Sequence, residues 1–192
     1  MEEILNIHLK LYDNITKCAK WSMMLKISEK VLPILLEGKG RKKKKIYQWF
    51  SDAIEHAWIW INDKAFDVTE YHSKFLAGKT VKYLGYFDSN KFPQADAAFN
   101  ACLNTMLYTV EVMYSFAPLK TRKEFPIPPD VAQTDSLITI ECLEWALKAS
   151  EDKEEELAWQ EKVINQLLQD HYTEEFDTLG ELIGREYFEQ FS

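Results

Sequence analysis

The chain has 192 residues, with 11 Phe, 9 Tyr and 6 Trp, only six Gly and six Pro, and a formal charge of −8. A chain of this length forms one domain, or one with a small appendage, and buries roughly 70% of its unfolded surface without needing staples. Scarce Gly and Pro exclude a turn-rich all-β fold, and the wealth of Leu, Ala, Lys and Glu predicts an all-α bundle.

Residues 4–36 read as one long or two abutting helices, with Leu5, Leu9, Tyr12, Ile15, Cys18, Ala19, Ser22 and Leu25 spaced by three and four. Asp13 is placed to cap a restart, Pro33 to kink the last turn, and Gly38 and Gly40 to stop the helix. Lys39 and Arg41 to Lys45 form a basic run between helices, read as a solvated loop, since no aromatic residue interleaves the charges. Residues 46–65 carry two apolar stripes, Ile46, Trp49, Phe50, Ala53, Ala57 and Trp60, and Ile54, Trp58 and Ile61. A helix apolar on two sides needs cover on two sides, so this element is expected to anchor the core.

Residues 67–77 predict a short helix ended by Gly78, and residues 79–92 are compatible with a strand or a helical turn. Pro93 suits a first helical position, and Ala95, Ala98, Phe99, Cys102, Met106, Val110 and Met113 mark one face of a helix running to 117. On that helix Asn104, Tyr108 and Glu111 are either a buried polar network or a solvent-facing stripe. Lys120 to Pro129 reads as an extended linker, with Pro126, Pro128 and Pro129. Three more helices are expected, at 135–149, from a Ser150 cap to about Tyr172, and at 174–190, for about seven in a single helical domain.

The charge changes sign at the linker. Residues 129–192 hold 17 acidic and 4 basic residues, net −13, whereas residues 1–128 hold 19 basic and 14 acidic, net +5. Such asymmetry speaks about partners: an acidic face steers a cationic protein and repels nucleic acid. First-turn acids are ordinary helix capping, but compensating Lys at i+4 is scarce, which favours a docking face over a merely solvated helix. Glu154, Glu155, Glu161, Asp170, Glu174 and Asp177 are the expected charge contacts, with Trp159 as aromatic anchor near the outward side of its helix.

Catalytic chemistry is not spelled out. Phosphate loops, nucleophile elbows, His-Glu-x-x-His and the Glu-x-x-His of di-iron bundles are all missing. Arg and His at the spacing of a large class of helical RNases occur nowhere. His56 is the best single candidate for a catalytic base, though a satisfied core imidazole is the simpler reading. Cys18, Cys102 and Cys142 are scattered and lack metal-ligand spacing, as expected of reduced buried thiols in a cytosolic protein. We therefore expect no enzyme activity, no cofactor and no metal. Met1-Glu2-Glu3-Ile4 has no basic n-region, and the longest apolar run, Ala57 to Ile61, is too short for a bilayer, so a soluble cytoplasmic protein is expected.

One block carries a resemblance: Trp21-Ser22, then Ile27-Ser28-Glu29-Lys30-Val31-Leu32-Pro33, a Trp-bearing helix from Ile54 to Ile61, and an Ala/Asn-rich helix from Ala95 to Tyr114. It resembles the predicted all-α immunity proteins of bacterial polymorphic toxin systems, the sixth catalogued immunity class, over residues 15–150. The resemblance implies a small cytosolic protein that binds and neutralises a cognate toxin, often a nuclease. The matching residues Trp21, Ser28, Glu29, Leu32, Pro33 and Trp58 read as packing and helix ends. The acidic third lies largely outside the block, and there specificity is expected. The alternative is a helical regulatory or adaptor domain that binds a host protein through the basic 39–45 run.

Overall fold

The computed structural model describes residues 11–37, 41–64, 67–77, 80–83, 85–127, 131, 136–175 and 178–191. These residues form an all-α multi-helix bundle. Its helices are α1 (Lys17–Val31), α2 (Arg41–Asp63), α3 (Val68–Phe75), α4 (Thr80–Tyr83), α5 (Pro93–Phe116), α6 (Leu119–Glu124), α7 (Ser136–Ala149) and α8 (Lys153–Asp170), with 3-10 helices at Leu32–Leu36 and Arg185–Phe191. No strand occurs among the described residues, and the segment open to either reading contains the single helical turn α4.

Helix α5 lies at the centre, packed most extensively on α7 and next on α1. Small residues make that possible. Ala98, Ala101, Cys102 and Thr105 are fully buried and let the neighbouring backbones approach. Hydroxyls then stitch the helices together. Ser28 Oγ donates to Thr105 Oγ1 at 2.8 Å, and Trp21 Nε1 donates to Thr109 Oγ1 at 2.8 Å. Each such bond contributes only about 1 kcal/mol net, but leaving either partner unpaired in this interior costs more. Of the residues that carried the resemblance, Trp21, Ser28, Leu32 and Trp58 are thus packing groups, whereas Pro33 is exposed. The expected core anchor, α2, does bury Trp49, Phe50, Trp58 and Trp60, yet it also exposes Asp52, Glu55 and Ile59. The most enclosed elements are α1 and α5.

Several boundaries differ from expectation. The restart before α1 has Thr16 at its N-cap rather than Asp13, with no side-chain cap bond. The basic residues Arg41 to Lys45 are not a loop but the first turns of α2. The expected extended linker contains α6, whose Arg122 Nε donates to Ala117 O at 2.7 Å. Asp67 caps α3 and Pro93 opens α5, as the turn chemistry predicts.

The largest difference is at the end of the chain, where a helix over 174–190 was expected. Residues 178–184 are irregular, and only Arg185–Phe191 is helical, as a 3-10 helix. The reason lies in α1. Its first amide donors lack a side-chain cap, and the C-terminal segment supplies carbonyls instead: Lys17 N donates to Thr178 O and Cys18 N to Leu179 O, both at 2.9 Å. Ser22 Oγ adds a bond to Ile183 O at 2.8 Å. Carbonyls committed to another helix's orphan donors are not free for a helix of their own. Gly180 makes the fit possible, with φ of +72° and Thr16 side-chain atoms 2.4 Å from where a Cβ would stand.

Candidate protein-binding face

The acidic face begins at the start of α8. Ser150-Glu151-Asp152 breaks the chain from α7, and Asp152, not Ser150, is the N-cap. Its carboxylate accepts from Glu154 N at 3.1 Å and Glu155 N at 2.9 Å, while Ser150 Oγ donates to Asp152 O at 2.8 Å. Glu154, Glu155 and Glu156 then fill the first turn, where the positive end of the helix dipole favours them.

These residues border a cleft of about 400 Å³ lined by Lys26, Lys30, Asp152, Glu155, Glu156, Trp159 and Phe191. Three elements build it: α1 supplies the lysines, α8 the acids and the indole, and the C-terminal 3-10 helix the phenyl ring. In its depth the charges are matched. Glu156 is buried, with Lys30 Nζ 2.6 Å away and Gln160 Nε2 donating to its other oxygen at 2.9 Å. Lys30 Nζ also stands 3.7 Å from the centroid of the Trp159 ring. The ammonium is held between a carboxylate and an aromatic face, an arrangement that strengthens as water leaves. At the rim the matching stops. Glu155, like Glu154 beside it, is exposed and belongs to no ion pair among the described residues.

The expected contact residues are not one cluster. Glu155 and Trp159 meet in the cleft. Trp159 is half-buried there with Lys30 over one face, rather than standing clear of the helix. Glu154 lies exposed on the same first turn, and Glu161 is half-buried further along. Asp170 ends α8, about 24 Å from Glu154 at 1.5 Å per residue. Its carboxylate accepts from Gln166 Nε2 at 3.0 Å and Tyr187 OH at 2.8 Å. Those two bonds hold its pKa below the usual carboxylate value, while burial and Asp170 push the Tyr187 phenol up. Glu174 is exposed beyond it, and Asp177 lies outside the described residues. The expected acids are therefore spread along and around α8, with Lys162 exposed between.

Sequence reasoning missed a polar node behind these acids. Arg185 NH2 lies 2.8 Å from Glu29 Oε1 and 2.7 Å from Glu55 Oε2, and Trp58 Nε1 donates to the same Glu29 oxygen at 3.0 Å. It ties the C-terminal 3-10 helix to α1 and α2. Nothing local marks these partners, which are far apart in the chain. The polar stripe of α5 is also resolved: Glu111 pairs with Lys17 at 2.8 Å, and Asn104 donates to Glu141 at 3.4 Å.

The remaining reactive groups are tied up. His56 Nδ1 lies 2.7 Å from Asp52 O and Nε2 2.6 Å from Lys74 Nζ, so the network assigns the hydrogen to Nδ1 and uses both nitrogens. Burial pushes the Cys18 and Cys142 thiols up to about 12 and Cys102 higher still, so all three stay protonated near neutrality. Among the described residues no three metal-binding side chains converge, and no helix is long and apolar enough to cross a membrane. No family model, curated protein or solved structure matches the chain. The resemblance noted above rests on its own residues.

Proposed function

We propose that this is a binding protein without catalytic activity, which docks its acidic face on a cationic protein surface in the cytoplasm and neutralises a cognate bacterial toxin by occlusion. A nuclease toxin fits best, because its phosphate cleft must be basic and an acidic protein can fill it in place of substrate. The observation that carries the reading is the contrast within one helical turn: Glu156 has its cation, whereas Glu154 and Glu155 stand exposed without one. Uncompensated like charges cost stability, and a partner's cations remove that cost while steering encounter. The half-buried Trp159 and the neighbouring Phe191 supply apolar wall beside those charges.

The test is co-expression with a toxin encoded beside the gene. Changing Glu154→Lys, Glu155→Lys and Glu174→Lys together should abolish protection while circular dichroism shows the helices retained and melting falls only by the small cost of two cations in the first turn of α8. The association rate of the unaltered pair should fall steeply with salt. Full protection by the triple variant, a salt-indifferent rate, or neutralisation by far less than one equivalent would each refute the proposal.

A further inference from the structure

A second surface, built by other elements, carries a groove that the acids of α8 do not explain. Lys42, Lys45, Lys82 and Tyr83 line one hollow of about 290 Å³. Lys45, Gln48, Trp49, Asp52, Lys74, Phe75 and Tyr83 line a second of about 390 Å³. The two share Lys45 and Tyr83, so they are adjacent parts of one surface groove between α2, α3 and α4. Its floor is aromatic: the Trp49 and Tyr83 rings pack tilted by 41° with centroids 5.1 Å apart, and Trp49 Nε1 donates to Phe75 O at 2.9 Å. Its rim is mostly cationic, with Asp52 the one exposed carboxylate among the described lining residues, accepting from Gln48 Nε2 at 2.7 Å. Lys42, Lys45 and Lys82 are exposed, and none of them is in an ion pair among the described residues. The basic run is therefore divided by function. Lys43 is buried, donating to Glu37 O at 2.5 Å under the Phe92 ring, whereas Lys42 and Lys45 face the groove.

We propose that this groove binds an acidic peptide segment of a partner protein that carries apolar anchor side chains. The floor calls for apolar groups and the rim for carboxylates, and an extended strand of alternating character presents one to each. Single-stranded nucleic acid fits less well. It needs a row of open ring faces, whereas Trp49 and Phe75 are buried and joined by a hydrogen bond, which leaves Tyr83 as the one partly open ring of the floor. A long polyanion also meets the repulsion of a chain at −8, which a short segment largely avoids.

Fluorescence anisotropy tests this with three labelled probes: a short peptide of alternating Glu and Leu, its Glu and Ser counterpart, and oligothymidylate. The Glu/Leu peptide should bind at least about tenfold tighter than the Glu/Ser peptide, since each buried Leu is worth that much. Lys45→Glu with Lys82→Glu should weaken it by at least about tenfold. Rising salt should weaken it on the unaltered protein, an answer that needs no variant. The Glu154→Lys, Glu155→Lys and Glu174→Lys protein should bind it as before, which separates this site from the acidic face. Equal binding of the two peptides, tighter binding of oligothymidylate, or indifference to both salt and the double reversal overturns the proposal. Self-association of the chain that the double reversal abolishes also overturns it, by making a second copy the occupant.

Discussion

The cleft at the start of α8 and the groove at the start of α2 are built alike and balanced differently. Each sets charged side chains against aromatic walls at a helix N-terminus. In the α8 cleft the acids agree with the helix dipole, and the deepest of them is matched by Lys30 from another helix. In the α2 groove the lysines of the helix start oppose the dipole, and Lys42, Lys45 and Lys82 form no ion pair among the described residues. Charges that are buried hold the fold together. Charges left unmatched at a rim weaken it slightly and are available to a partner.

The comparison can be broken hardest at residues 178–184, the strap whose carbonyls cap the start of α1. Gly180→Ala should destabilise the protein by about 3 kcal/mol, through left-handed backbone and a Cβ driven into Thr16. Urea unfolding measures this, and an effect near zero would show that the strap does not cap α1. Glu156→Ala should cost about 1–2 kcal/mol, because Lys30 loses its carboxylate and Gln160 keeps only Leu143 O as an acceptor, beside the gap the buried side chain leaves. A loss no larger than that of Glu154→Ala would erase the distinction between depth and rim.

The groove should respond with the other sign. Lys45→Glu should stabilise the folded protein by about 0.5 kcal/mol, since it replaces a cation with an anion in a helix's first turns. Destabilisation would mean that Lys45 has a structural partner. The smallest effect is on pH dependence. Hydrogen bonds from Gln166 and Tyr187 lower the folded pKa of Asp170, so its contribution is present above the unfolded value. It is lost as the pH falls through the lower folded value, below about pH 4. Asp170→Asn should therefore flatten the acid limb of a stability-against-pH curve and leave the neutral region almost level.

The apolar spacing of α1, α2, α5, α7 and α8 was legible because helix periodicity is a local property. Asp67 and Pro93 marked their helix starts for the same reason. The strap was not legible. Leu179, Leu182 and Ile183 have helical spacing, yet the carbonyls of Thr178 and Leu179 are taken by the uncapped donors of α1. Of the acidic face, composition identified the region, yet the pairing of Glu156 with Lys30 across 126 positions left no trace in either segment.

By itself the sequence determined an all-α chain with a basic front and an acidic end, because helix formation and net charge are sums over neighbours. Only the tertiary structure decided which charges are matched. It set Lys30 between Glu156 and Trp159, brought Arg185 to Glu29 and Glu55, and laid Tyr83 beside Lys42 and Lys45. Pairing depends on a few ångströms of distance and on exclusion of water, and the fold alone supplies both.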